Sequence, residues 1–369
     1  MKNILKIFLD SNSNSLMTYK DFIQLALYHS TAGYYQQEKE KIGAIGDFYT
    51  SSNVSDVFGR ALGRWFLHIF STYQLPLQII EIGSGTGRTA HAILSYIQEH
   101  NNNVFQKLCY ISIETSSYHR QKQEEILEHF DNVMYVADIE QLKCIEGIVF
   151  SNELFDAFPV HVVEKKAGVI YEVMVGMQED SFIEVYRVLD NQAIIDYLDE
   201  QELQLANGQR IEIPLPMKQY YSYLCEKINQ AVLVTIDYGY TNEEWQEAIH
   251  RKGSLRGYRH HRMVENVLKG PGEMDITSHI HWDALQRIGE TFGAHTQALL
   301  PQHEFLLACG ILEELQNAWG MDAFSPQHTR NRAIRTLIQP GQISSYFKVL
   351  IQTKGFNGNS EGLWPSMNK

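Results

Sequence analysis

The sequence predicts an α/β fold built on a doubly wound parallel sheet, with an N-terminal helical region and an α+β insertion between strands four and five. Three observations carry this. An apolar run ending in an acid, Ile79-Ile80-Glu81-Ile82, passes directly into the three-glycine turn Gly83-Ser84-Gly85-Thr86-Gly87. Strand-like segments then alternate with helical ones as far as Ser151, as a parallel sheet with crossover helices requires. The next buried strand-like run, Ala231 to Asp237, follows an interval too long for a single α/β connection.

Taken in order, residues 1–73 read as helical, and residues 74–158 with 231–354 as the α/β domain. The segment Thr89 to His100 reads as the helix after the glycine turn, and Lys107 to Glu114 as strand two. Asn132 to Ala137 reads as strand three and Gly147 to Ser151 as strand four. The insertion, residues 159–230, contains alternating stretches at Val160–Val163, Val169–Val175 and Phe182–Val188. Helical patterns follow over Asn191–Leu205 and around Met217–Gln230. Ala294–Leu300 and Tyr346–Thr353 supply closing strands, making seven in the sheet. The Gly/Asn/Ser-rich tail, residues 355–369, is expected to fray.

The glycine turn points to a nucleotide cofactor, because glycines at alternate positions let the backbone turn sharply and approach a ligand. Its G-x-G-x-G spacing lacks the third glycine of a dinucleotide fingerprint, where Arg88 stands instead. That leans away from NAD and toward S-adenosylmethionine, whose methionine carboxylate and amine can lie over Gly83, Ser84, Gly85 and Gly87 with Glu81 in reach. Glu114, ending strand two, is the candidate ribose ligand, since a carboxylate accepts from both hydroxyls. Asp138-Ile139, after strand three, offers an acid for the adenine amino group and an apolar side chain for the ring. Each acid alone reads equally well as a solvated strand end.

Composition fits a folded enzyme: 369 residues, 44% hydrophobic and 20% charged. A formal charge of −13 with no Lys/Arg stripe disfavours a nucleic-acid substrate and favours a protein or small-molecule partner. There is no apolar run long enough to span a membrane and no full signal-peptide core, so a cytoplasmic location is expected. Cys109, Cys144, Cys225 and Cys309 lack metal or disulfide spacing and read as reduced, mostly buried thiols. His260-His261 with His279 and His281 lack an ordered acid or thiol set, so no metal is expected.

Chemistry is placed just past strand four, in Phe150-Ser151-Asn152-Glu153-Leu154-Phe155-Asp156. Methyl transfer mainly requires alignment of donor and acceptor. A guanidinium is a poor nucleophile, its pKa lying above about 12, and two carboxylates can fix its plane and take a proton. Glu153 and Asp156 are the candidate catalytic pair, with Asn152 beside the methyl donor; a helix cap is the competing reading for Asn152 or Asp156. Gly43, Gly46 and Asp47 before Phe48-Tyr49-Thr50-Ser51 mark a turn whose hydroxyls either contact the cofactor or start a helix. Tyr238, ending strand five, can edge the pocket or simply close a turn.

These motifs together resemble the MidA family of S-adenosylmethionine-dependent methyltransferases, which includes mitochondrial assembly factors for respiratory complex I. The resemblance runs from about Met17 to His281. It takes in Tyr19, Leu27-Tyr28-His29, Gly33-Tyr34-Tyr35 and Ile45 to Ser51, then Ser55 and Phe58-Gly59. It continues through the glycine turn, Ser151 to His161, Ile236 to Gly239, Gly253 to Tyr258, His261 and Pro271 to Thr277. It implies a class I methyltransferase, Rossmann-like, seven-stranded sheet, with S-adenosylmethionine as cofactor and Phe48, Thr50 and Ser51 near it. It also implies an acceptor-side role for Tyr238, Arg256, His261 and Asp275, and, from the family's mitochondrial branch, protein arginine methylation. A small-molecule or tRNA methyltransferase, or a non-catalytic adenosylmethionine-binding assembly factor, stays open as an alternative, with a homodimer as one open arrangement. An NAD-dependent oxidoreductase ranks last.

Overall fold

Strands buried on both faces read as continuous apolar runs, and such runs form the interior of the central sheet of the computed structural model. β1 (Gln78–Ile82), β2 (Cys109–Ile113), β3 (Val133–Val136), β4 (Ile145–Asn152) and β5 (Ile228–Tyr240) are mutually parallel. β6 (Ala294–Pro301) and β7 (Phe347–Lys354) close one edge, with β7 antiparallel to both its neighbours. The order is β6-β7-β5-β4-β1-β2-β3, so the winding reverses between β1 and β4. Ligands of open α/β sheets bind at that switch point, beyond the carboxyl ends of the strands. An eighth strand of two residues, Ile280–His281, pairs with the end of β5 at Gly239 and Tyr240.

The structure describes residues 1–12, 14–37, 56–322, 324–339, 346–356 and 360–365. They fall into two compact units, Met1–Phe48 with Phe155–Ser222 and Gly239–Ile288, and Tyr49–Leu154 with Tyr223–Tyr238 and Gly289–Lys369. The second unit holds the sheet. Its core packs Phe58, Leu62, Trp65 and Phe66 of helix Val57–Tyr73 and Ile93 and Ile97 of helix Arg88–His100 with Ile79, Phe150, Val234 and Ile351 of the strands. The expected frayed tail is packed where described: Ser360–Leu363 is a short helix, Leu363 is buried, and the Trp65 indole donates to the Leu363 carbonyl at 2.7 Å.

The other unit is a five-stranded antiparallel sheet of Met17–Thr18, His161–Lys166, Val169–Gln178, Ser181–Val188 and Arg210–Ile213, with a small three-stranded sheet of Arg256–Arg259, Arg262–Val264 and Asp275–Thr277. The unit boundaries differ from the expected insertion at 159–230. Strand Met17–Thr18 pairs with Val169–Gln178, and Phe22, Ile23 and Leu27 of helix Tyr19–Tyr28 fill the same core as Val162, Val173 and Ile276. An alternating sheet with one apolar face needs such a cover, and the N-terminal helices provide it.

Two expected helices are shorter. The helix read over Asn191–Leu205 runs from Gln192 to Glu200, because Glu202 enters the left-handed region (φ +55) and the Leu203 amide returns to the Leu198 carbonyl at 2.9 Å, a Schellman stop. The helix read to Gln230 ends at Lys227, where β5 begins. His260 and His261, both with positive φ (+49° and +58°), are the two-residue loop joining Arg256–Arg259 to Arg262–Val264. That is hairpin geometry, and it explains the histidine pair without a metal. No group of three or more metal-ligating side chains exists among the described residues, and no described helix is long and apolar enough to cross a membrane.

Candidate cofactor and acceptor sites

β1 delivers the chain to a turn in which Gly83, Gly85 and Gly87 all have positive φ (+72°, +53° and +81°), and Gly87 caps helix Arg88–His100. The three glycines serve different neighbours. A Cβ on Gly83 would meet Leu154 Cδ1 at 2.8 Å, and one on Gly87 would meet Gln123 Cγ at 3.0 Å. One on Gly85 would meet no atom of the described residues within 4 Å. Among the described residues Gly85 therefore presents bare backbone, the feature that a closely approaching ligand requires.

Side chains of the same unit hold this turn. The Gly83 amide donates to the Ile113 carbonyl at 2.9 Å, and the Gly85 amide to Glu114 Oε2 at 2.9 Å. The other Glu114 oxygen accepts the Ser116 amide at 2.8 Å, so two backbone donors aim this carboxylate. Buried Gln123, on helix Ser117–Ile126, donates from Nε2 to Ser84 Oγ at 2.8 Å and to the Gly85 carbonyl at 2.6 Å. Its Oε1 accepts from Ser112 Oγ at 2.6 Å, and Ser84 and Ser112 share a 2.5 Å hydrogen bond.

Glu81 is only 3% exposed and accepts the Tyr110 hydroxyl at 2.7 Å. Burial pushes its pKa up to about 8, with the Glu114 charge adding to the rise and the Tyr110 bond opposing it. Asp138 is exposed and caps the turn Ile139–Gln141, its Oδ1 accepting the Glu140 amide at 2.9 Å; Ile139 is buried. Asn152, at the end of β4, keeps a buried Oδ1 with no hydrogen-bond partner among the described residues. Glu153 has a left-handed backbone (φ +52), held by its amide bonding to the Ile236 carbonyl at 2.9 Å. A strained, non-glycine strand end of this kind is the geometry by which a fold aims a functional side chain. Tyr238 is half-buried with its ring edge-on to Phe347, centroids 5.3 Å apart.

In the other unit, Asp156 is buried on the turn Phe155–Ala157, its carbonyl accepting the Ser278 amide at 2.9 Å. Buried Asp275 accepts the Tyr35 hydroxyl at 2.6 Å. Burial, then Asp275, Tyr28 and Asp156, push the Tyr35 phenol well up, which sets these four side chains in one neighbourhood. The Tyr28 hydroxyl donates to the Ala157 carbonyl at 2.9 Å. Arg256 Nε donates to the Ser254 carbonyl at 2.8 Å and Nη2 approaches His279 Nδ1 at 3.3 Å. Burial, Arg256 and His250 push the His279 pKa down to about 3. His261 is exposed at its hairpin turn. Phe48, Thr50 and Ser51 lie outside the described residues.

Gln123, Tyr110, Tyr28 and Tyr35 are the side chains that sequence reasoning did not place. Tyr28 and Tyr35 stood in quoted motifs, whereas a lone glutamine on a polar helix carries no signal. Of the four thiols, Cys225 and Cys309 are buried, Cys109 is half-buried and Cys144 is exposed, fewer than the expected majority inside.

Residues 61–300 match the Methyltransf_28 family, described as "Putative S-adenosyl-L-methionine-dependent methyltransferase". The chain belongs to this family. Relatives include the mitochondrial protein arginine methyltransferase NDUFAF7 of Xenopus tropicalis, 25% identical over 81% of this chain and 73% of that protein. Its Drosophila melanogaster homolog is 22% identical over 91% of this chain and 81% of that one. A protein of Burkholderia thailandensis crystallised with S-adenosyl-homocysteine has the same fold, with a TM-score of 0.86 and 23% identity over 98% of this chain and 94% of that one.

The protein is thus a methyltransferase dependent on S-adenosylmethionine. The residues present fit that cofactor. Gly85 offers bare backbone, and Asn152 Oδ1 is a buried acceptor that an ammonium or hydroxyl donor would satisfy. The expected cytoplasmic location does not stand, since the relatives are mitochondrial proteins by name.

Proposed function

We propose that this methyltransferase acts on a protein, with an arginine side chain as acceptor. The relatives' names support an arginine acceptor, and the acidic net charge of −13 suits a basic partner. The strand order supports reading the sheet as the seven-stranded class I sheet with an insertion after β4.

The observation that carries the proposal is the position of Glu153. Leu154 packs on Gly83, so the end of β4 lies against the glycine turn, and the strained Glu153 backbone fixes where the carboxylate starts. The cofactor supplies an electrophilic methyl group on a sulfonium sulfur. Gly83, Ser84, Gly85 and Gly87 shape the turn that receives it, Glu114 takes the ribose hydroxyls, and Glu81 and Asn152 face its amino-acid end. Asp138 and Ile139 stay the adenine-side residues of the proposal. Glu153 accepts hydrogen bonds from the acceptor guanidinium, turns one nitrogen toward the methyl group and takes the proton released as the N–C bond forms. Asp156 is the second carboxylate by its spacing from Glu153, and Tyr238, Arg256, His261 and Asp275 are assigned to the acceptor side.

Transfer of labelled methyl groups into whole-cell protein, followed by acid hydrolysis and chromatography of methylarginines, tests the reading. Glu153→Gln is expected to cut transfer about a hundredfold or more while cofactor affinity stays within a few-fold. Label appearing only in RNA or small molecules would overturn the protein acceptor, and full transfer by Glu153→Gln would remove Glu153 from the chemistry.

A further inference from the structure

We propose that Gln123 is a positioning residue for the cofactor: its side-chain amide locks the glycine turn in the shape that leaves Gly85 bare and ties it to Glu114. This rests on the reading that the glycine turn receives S-adenosylmethionine.

The proton inventory admits one arrangement. Ser112 Oγ gives its single proton to Gln123 Oε1, so toward Ser84 it can only accept. Ser84 Oγ therefore donates to Ser112 at 2.5 Å, much nearer than its other acceptor, the Ile113 carbonyl at 3.4 Å, and accepts one Gln123 amide proton, leaving the other for the Gly85 carbonyl. A flipped amide would set Gln123 Oε1 against the Gly85 carbonyl oxygen at 2.6 Å, two acceptors with no proton between them. The ring is buried: Gln123 is 0% exposed, Ser112 1% and Ser84 7%. Water is kept from competing for these bonds, and a buried network with every member satisfied is rigid.

The consequence falls on Gly85, whose carbonyl is held by Gln123 and whose amide is held by Glu114. Both peptide planes flanking the bare α-carbon are pinned, one from helix Ser117–Ile126 and one from the end of β2. Gly87 completes the lock, because its missing side chain is what lets Gln123 approach. A loop fixed beforehand spends less ordering entropy when a ligand arrives. Removing the amide frees the turn and, with it, the Gly85 amide that holds one of the two Glu114 oxygens, so the affinity lost is for the whole cofactor.

The test is calorimetric titration of the full chain with S-adenosylmethionine and S-adenosylhomocysteine, together with chemical unfolding of each protein. Gln123→Met keeps length and bulk without the amide, and about tenfold or more weaker binding is expected, as for loss of one or two hydrogen bonds. Gln123→Glu is expected to fall further, since it sets an oxygen against the Gly85 carbonyl. Ser112→Ala, far milder for folding, should weaken binding about threefold by releasing the amide's orientation. A merely structural role would lower the unfolding midpoint and leave the affinity of the folded fraction unchanged. Binding by Gln123→Met within twofold of wild type overturns the proposal; should that variant not fold, unchanged binding by Ser112→Ala does so. Wild-type protein that binds no cofactor, or Gly85→Val that binds normally, refutes the cofactor-site reading itself, a distinct outcome.

Discussion

Glu81 makes stability depend on pH in a direction opposite to that of most carboxylates. Its folded pKa of about 8 stands above the ordinary 4.5, because the carboxyl is buried and its hydrogen-bonding phenol only partly offsets that burial. Between those values the folded chain holds a proton that the unfolded chain has released. The stabilisation is fully present below pH 4.5 and is lost as pH rises through 8, at up to about 1.4 kcal/mol for each pH step and about 5 kcal/mol in all. Glu81→Gln keeps the shape and the acceptor for Tyr110 but cannot ionise. Urea unfolding of both proteins without cofactor, at fixed ionic strength, isolates the effect. The variant's advantage over wild type should grow by about 3 kcal/mol from about pH 5.5 to about pH 7.5. A difference that stays flat across that window would mean that Glu81 is ionised in the folded chain, and the burial argument would fail.

Gly85→Ala should abolish cofactor binding by calorimetry while costing only about 1–2 kcal/mol of stability, from its left-handed backbone, because the new Cβ enters open space. Gly87→Ala carries the same backbone cost plus a clash with Gln123, and should show the larger loss of urea midpoint. Replacing His260-His261 with Asn-Gly should raise the stability measured by urea unfolding by about 0.5–1 kcal/mol, since that pair adopts positive φ at lower cost. Leu363→Ala should cost about 2–5 kcal/mol, measured as accelerated proteolysis of the carboxyl end as well as a lower midpoint.

The central sheet was legible because its signals are local. Each buried strand is a short apolar run, and the glycine turn, its acid and the following helix occupy consecutive positions. The rest depends on contacts that no window contains. Tyr35 meets Asp275 across 240 positions, and Met17–Thr18 completes a sheet whose other strands lie beyond residue 160. Periodicity marked the inserted segments as strands but not the N-terminal helices as their cover, so the unit boundaries moved. Helix Gln192–Glu200 stopped early because a glutamate took the left-handed position usually given to glycine.

The three strand-end acids show most clearly what sequence leaves open. In the chain Glu81, Glu114 and Asp138 are equivalent: an acid where an apolar run stops. Folding separates them by burial and by donors. Asp138 is exposed and spends an oxygen on capping a turn, the bland reading for such a residue. Glu114 accepts two backbone amides, one from Gly85 itself, so its position reports the shape of the glycine turn. Glu81 has one phenol and almost no water, and burial holds its proton. A cofactor ammonium brought beside Glu81 would lower that pKa and release the proton. Cofactor binding near neutral pH should therefore release protons to buffer, in an amount that Glu81→Gln removes. Calorimetric binding heats measured in two buffers of different ionisation enthalpy count those protons, and equal counts in wild type and variant would place the ammonium away from Glu81.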